Sequence, residues 1–419
     1  MKLDPQTGKV NYGGWAKGVD NRRSDDDIDD DSLRDAVNVD VSVSGRVRMR
    51  RGITQTLAMA GAHSLFSDGQ RMLFATASSL RGVTFPGPIA SLLLTDARLR
   101  NPLSYVSVNG VTYFSNELIN GKVNTAGAYE PWGVVPPTTQ PVCTGSPVGT
   151  GTARLYQVSC TFITASGMES GSTLLPVSVT CGDPANIVAS SIPQSSDSRV
   201  VATRLYATNI DGEIFYRDQD VPAGVTSVAM NGFFGKGGPF SSQFMSPPPA
   251  GQLVEYLNGI IYIAQGSTLW HTEPMNYDLH TPRKNFFSFG SRITMIKAVP
   301  DGLFVSADQT YFLERVGTEE VRRRVVLPHK AIEGAACSVP DSTDVLWFSE
   351  RGFVRGGIGG NVRLLTDAQV AVDSYARGAL SFDENNGQRT VVAVLNGPTA
   401  GAAASEFTAA DAIRRAEIL

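Results

Sequence analysis

Short apolar runs that fold back on themselves around Asp-Gly or Asn-Gly recur along this chain, and their spacing limits what it can become. Residues 65–75 read as strand, Asp68-Gly69 turn, strand; residues 105–115 repeat the plan around Asn109-Gly110, and residues 254–264 around Asn258-Gly259. Residues 296–306 follow with Asp301-Gly302, a looser copy runs from Cys337 to Ser349, and the last spans 380–394 around Asn386-Gly387. Both central residues of a tight hairpin need positive φ, which Asn, Asp and Gly tolerate best. The turn glycines lie 41 residues apart from Gly69 to Gly110, 43 from Gly259 to Gly302, and 85, about two periods, from Gly302 to Gly387. Further strand-like runs at 268–274, 309–314 and 352–356 follow three of the hairpins, giving room for four strands per period. A period of about 40 to 45 residues with four strands predicts the blades of a β-propeller, approximately six of them.

One interval breaks the period. Gly110 and Gly259 are 149 residues apart, so one period leaves about 107 residues of extra chain, the size of a β-sandwich. Pro136-Pro137 and Pro247-Pro248-Pro249 bound it as stiff linkers. Inside, alternating runs at 153–162, 177–180 and 200–208, separated by Gly- and Asp-containing turns, read as short strands. The pattern Tyr156-x-Val158-x-x-Thr161-Phe162, with Gly167-x-Glu169-Ser170 and Arg204-Leu205-Tyr206-Ala207-Thr208 before Asp211-Gly212, resembles fibronectin type III-like domains of phage virion proteins. The expected organisation is therefore all-β: an arm at 1–52, a first propeller part at 53–135, the inserted fibronectin-like sandwich at 136–248, a second propeller part at 249–400, and a tether and short helix at 401–419. Ser405 or Thr408 would cap that helix, with Phe407, Ile413 and Ile418 for apolar contacts.

The arm lacks the repeat. Six aspartates occupy 25–31, broken only by Ile28; without a turn glycine or a downstream bidentate Glu, this reads as a solvated acidic stretch and not as a calcium loop. Arg46, Arg48 and Arg50 alternate with Val47 and Met49, which places three guanidinium groups on one face of a strand, with Arg51 next to them. Together with Asp25, Asp26 and Asp27 these arginines are the candidate assembly residues. Their partners would be the acidic stretch of a neighbouring copy or DNA phosphates, against the plain alternative of a solvated edge strand.

The run LRDAVNVDVSVSGRVRMRRG at 33–52 resembles the opening of tail nozzle proteins of short-tailed bacteriophages, a group that includes tail tubular protein B and stabilisation, or head-completion, propeller proteins. LVEYLNGIIYIAQGSTLWHTEPMNYDL at 253–279 and ITMIKAVPDGLFVSADQTYFL at 293–313 resemble the same group. The chain is short for a nozzle and has no large tip insertion beyond the sandwich. The resemblance implies a structural ring, a homohexamer, in the virion tail, made in the host cytoplasm. It would form part of the genome-ejection channel along which viral DNA passes. It would also give a docking surface to tail adaptor and tail fibre or spike proteins.

Composition agrees where it speaks. A formal charge of −4 argues against a general nucleic-acid binder, while suiting a channel that DNA must slide through. No apolar run approaches the ~20 residues of a membrane span, so no membrane insertion is expected. The histidines (63, 271, 280, 329) are isolated, and the cysteines (143, 160, 181, 337) have no C-x-x-C spacing and read as buried free thiols. No metal, no cofactor and no enzyme activity are expected. Two other classes compete: a receptor- or carbohydrate-binding virion propeller, and a propeller glycosidase, whose S-x-D-x-G-x-T-W box is absent from every blade.

Overall fold

The computed structural model describes residues 14–49 (except 25, 38 and 43), 55–146, 152–366 (except 233, 236 and 319) and 375–396 (except 386 and 387), with the backbone of 2–3, 10–11 and 413–417. The arm contributes β1 (Lys2–Leu3), β2 (Val10–Asn11), β3 (Gly18–Val19), β4 (Ser32–Leu33), β5 (Val39–Val41) and β6 (Val47–Met49), paired two by two. The first blade is β7 (His63–Ser67), β8 (Met72–Ala75), β9 (Ser79–Thr84) and β10 (Ile89–Thr95); the second is β11 (Ser104–Val108), β12 (Val111–Ser115), β13 (Asn120–Val123) and β14 (Tyr129–Glu130).

Seven strands follow: β15 (Val142–Gly145), β16 (Arg154–Thr164), β17 (Val177–Cys181), β18 (Ala185–Ser190), β19 (Val200–Thr208), β20 (Phe215–Pro222) and β21 (Ser227–Gly232). They form two sheets, in the orders β17-β16-β19-β20 and β15-β18-β21. The third blade is β22 (Leu253–Leu257), β23 (Ile260–Gln265), β24 (Thr268–His271) and β25 (Phe286–Ser288), and the fourth β26 (Met295–Val299), β27 (Gly302–Ser306), β28 (Thr310–Glu314) and β29 (Arg322–Leu327). The fifth is β30 (Ala331–Ser338), β31 (Val345–Ser349), β32 (Gly352–Gly357) and β33 (Asn361–Leu364), and the sixth has β34 (Arg377–Asn385), β35 (Gln388–Asn396) and β36 (Ile413–Glu417); the two join in one seven-stranded sheet through a parallel pairing of Glu333 with Arg377.

The fold is all-β and of propeller type, and β31 shows why. All five of its residues are buried. Val345 and Trp347 join a cluster with Phe304 and Phe312 of the fourth blade, while Leu346 and Phe348 join one with Val391, Ala393 and Leu395 of the sixth. A strand that alternates between two cores lies in a sheet covered on both faces by its neighbours.

Two expected turns form as read: Asn109-Gly110 and Asn258-Gly259 both have left-handed φ at each position (52° and 77°, 49° and 81°). Asp301-Gly302 does not. Val299 pairs with Gly302, so Pro300 and Asp301 make the turn and Gly302 is the first residue of β27, where an added Cβ would run into the Phe312 ring. The Asn386-Gly387 turn lies outside the described residues. The expected C-terminal helix is corrected: Ile413–Glu417 is a strand antiparallel to β35, with Val394 opposite Ile413 and Thr390 opposite Glu417. Pairing to an available sheet edge overrides a local helical pattern too short to be stable alone.

By contacts the chain divides into two compact units, residues 1–104, 264–268 and 288–419, and residues 105–263 with 269–287. In the second unit the sandwich core is Tyr156, Val158, Cys160, Ile187, Leu205 and Met230, the inward positions of facing strands. All four thiols are free, Cys160 and Cys181 buried and Cys143 and Cys337 only half-buried; burial pushes Cys160 up to about 12 and Cys143 up to about 11, which favours their protonated form. The insertion leaves the blades on either side of it joined. Lys122 Nζ reaches Asp278 Oδ1 at 2.8 Å and Oδ2 at 3.0 Å, Trp132 Nε1 donates to Tyr277 O at 2.7 Å, and Asn120 Nδ2 donates to Pro248 O at 2.8 Å.

Candidate functional site

The arm is held together by close backbone approach and by charge. Trp15 N donates to Gly45 O at 3.0 Å, and a Cβ on Gly45 would stand 2.6 Å from Trp15 N, so only glycine fits there. The acidic stretch divides. Lys17 Nζ lies 3.0 Å from both Asp29 Oδ2 and Asp31 Oδ1, and Arg23 Nη1 lies 3.1 Å from Asp29 Oδ2. The Lys17 hydrogen bond holds the Asp29 carboxyl below its ordinary range. Asp20, buried, accepts from the Arg22 and Arg23 amides at 3.2 and 3.3 Å and takes Arg23 Nε at 3.4 Å. Asp29 and Asp31 of the 25–31 stretch are thus partly exposed yet paired with Lys17 of the same chain. Lys17 escaped the sequence reading because twelve residues separate it from Asp29.

Of the candidate assembly residues, Asp26 and Asp27 are exposed, with Asp27 accepting from Ser24 Oγ at 2.7 Å; Asp25, Arg50 and Arg51 lie outside the described residues. Arg46 and Arg48 are exposed, and neither has an ion-pair partner among the described residues. The structure does not bring them together with the aspartates. β5 and β6 form a two-stranded ribbon with no third strand among the described residues, and all three residues of β6 are exposed. Its apolar side is open too: Met49 is 82% exposed and Val47 38%. The side carrying Arg46 and Arg48 and the side carrying Val47 and Met49 both face solvent.

The sandwich holds a second charged cluster, built from the residues that carry its fibronectin-like pattern. Thr161, Arg204 and Asp220 stand in register on β16, β19 and β20. Glu169 accepts from Thr161 Oγ1 at 2.6 Å, Tyr206 OH at 2.6 Å and Arg204 Nη1 at 2.9 Å; Asp220 accepts from Arg204 Nε at 2.7 Å and Arg217 Nη2 at 2.6 Å. The bond to Asp220 raises Arg204 above its ordinary value, and that to Arg204 lowers Asp220. Tyr206 stacks on Phe240 at 4.2 Å. With its acceptors occupied and its tyrosine covered, this cluster braces three strands.

Trp132 and Trp347 are buried in blade cores, so neither offers the open aromatic platform that sugar rings stack on. Among the described residues no group of three or more His, Cys, Asp or Glu side chains is placed to hold a metal ion, and no helix is long and apolar enough to cross a membrane.

No protein-family model matches the chain, and no curated protein matches it. Among solved structures, BBS1N in complex with ARL6DN matches at 13% identity and a TM-score of 0.30, over 80% of this chain and 87% of that one. One of two prolyl endopeptidases matches at 11% identity and a TM-score of 0.19, over 80% of this chain and 54% of that one. At these scores the likenesses carry no argument; the propeller-type fold stands on the strand order and the two-sided burial of β31.

Proposed function

We propose that this chain is a structural subunit of a short phage tail, a nozzle or distal tail-tube ring. It would form part of the genome-ejection channel and offer a docking surface to other tail proteins. The observation that carries this reading is the β5–β6 ribbon, a two-stranded element whose second strand is exposed at every residue. Isolated two-stranded ribbons are marginal in water, so one with apolar and cationic faces open is suited to a neighbour. The alternating arginines and the phage-like run at 33–52 occupy the same stretch.

The test is the native particle. A density map of a short-tailed virion that carries this chain should show it as a ring around the tail axis. Recovery of the protein only as a monomer outside particles, or turnover of a surface polysaccharide by the purified chain, would overturn the reading.

A further inference from the structure

A blade's outermost strand leaves one row of backbone groups unpaired, and proteins blunt such edges by shortness or by charge. The outermost strands of the second to fifth blades do so. β14 has two residues, β25 three, β29 opens with Arg322, Arg323 and Arg324, and β33 has four residues including Arg363. β10 does neither. It is seven residues long, Ile-Ala-Ser-Leu-Leu-Leu-Thr, without a charge or a proline. Ile89 is 68% exposed, Leu92 55%, and Phe85 in the turn before it 61%. A bulge at Leu93 interrupts its pairing with β9, so the continuous part of the edge is Ile89–Leu92.

The arm has the matching deficit. β6 is three residues long, belongs to a sheet of only two strands, and exposes Val47 and Met49, with Val37 77% exposed near it. The two surfaces do not pair within one copy among the described residues. Phe85, Ile89 and Leu92 at the edge and Val37 and Met49 at the ribbon are each more than half exposed, so pairing the two would take apolar surface out of water on both sides. Arg46 and Arg48, on the ribbon's other side, would remain in water and cost no desolvation.

We propose that the β5–β6 ribbon of one copy adds to the β10 edge of a second copy, extending the first blade's sheet. This rests on the reading of the chain as a ring subunit and names the contact that builds the ring. Because the surface offered differs from the surface received, the contact is head-to-tail and repeats from copy to copy. Backbone pairing supplies the bonds, and alternate side chains supply the selectivity.

Two variants of the full chain test it by mass photometry and sedimentation. Leu92→Arg spoils the edge and leaves the arm; Met49→Arg spoils the arm and leaves the edge. Both positions are exposed, and thermal melts matching wild type confirm folding, with Ile89→Lys as a second edge variant. Each variant alone should lose self-association at least tenfold. An equimolar mixture should form a dimer and stop there, since it holds one intact pair of surfaces. Wild-type assembly by either variant, or self-association of Met49→Arg alone, would overturn the proposal while leaving the ring reading intact. A wild-type chain that stays monomeric at every concentration, in particles as well as in solution, would overturn both.

Discussion

Lysine meets aspartate in the arm and again between blades, with opposite consequences. Lys122 and Asp278 have side chains 7% and 19% exposed, and Lys122 also lies 5.9 Å from the Tyr113 ring centroid. Lys17 and its partners Asp29 and Asp31 are 47%, 42% and 41% exposed. Water competes with the arm pair at every moment and salt screens it; the blade pair can exchange its partner for nothing. The blades thus use charge to fix one geometry, whereas the arm uses it to hold a shape that a partner can still adjust.

The largest effect should come from apolar packing in the blades. Trp347, fully buried and 5.3 Å from the Phe304 ring, should cost about 3–5 kcal/mol when changed to Ala, read as a drop in the denaturant midpoint. Asp278→Ala should cost roughly 2–3 kcal/mol, less than a fully buried pair because Asp278 is partly open. Replacing both partners, Lys122→Met with Asp278→Leu, should recover most of that loss. If the double variant is no better than the single, the pair is not what joins these blades.

Acid should sharpen the contrast. His280, buried, donates Nδ1–H to Ser246 O at 3.0 Å, and His271 does so to Thr272 O at 3.0 Å. Burial lowers both below their ordinary 6.5, with Glu273 and Lys284 acting in opposite senses on His271, and with Glu273 opposing His271 at His280. The unfolded chain therefore takes up these protons first. Stability is complete above about pH 6.5 and is lost as pH falls toward the folded values. The arm's Asp29, also lowered, should respond only in the carboxylate range near pH 4. Thermal melts from pH 7.5 to 5 should show the loss in wild type and a flatter profile in the His271→Gln, His280→Gln variant. The smallest effect belongs to Lys17→Ala, which should leave the melting midpoint unchanged and raise proteolysis within residues 14–49 only.

What could be read beforehand follows from how local each determinant is. Asn109-Gly110 and Asn258-Gly259 announced their hairpins because the turn needs only its own two residues. Asp301-Gly302 misled by one position, since Pro300 fixes a negative φ and takes the turn itself. The alternation of Arg46 to Met49 was visible, but that no sheet covers the other side was not, because exposure depends on the whole fold. Nor could β10 be distinguished as an unprotected edge before the other outer strands were placed. The strand at Ile413–Glu417 had no local signal at all; its partner β35 supplies the reason for it.

The chain leaves the second blade and returns to the third almost at one point. Gly133, with a φ of 79°, is so close to the returning segment that an added Cβ would stand 2.7 Å from Asp278 O and 3.0 Å from Pro247 Cβ. Arg199 of the sandwich closes over the same place, donating to Pro131 O at 3.1 Å and Gly133 O at 2.7 Å. For the blades, whatever lies between these two strands is a loop whose ends already touch, and loop closure changes only slowly with length. The doorway at Gly133 and Pro247 thus leaves the frame nearly indifferent to the length of chain it admits, with Arg199 as a side chain by which the admitted domain holds the threshold.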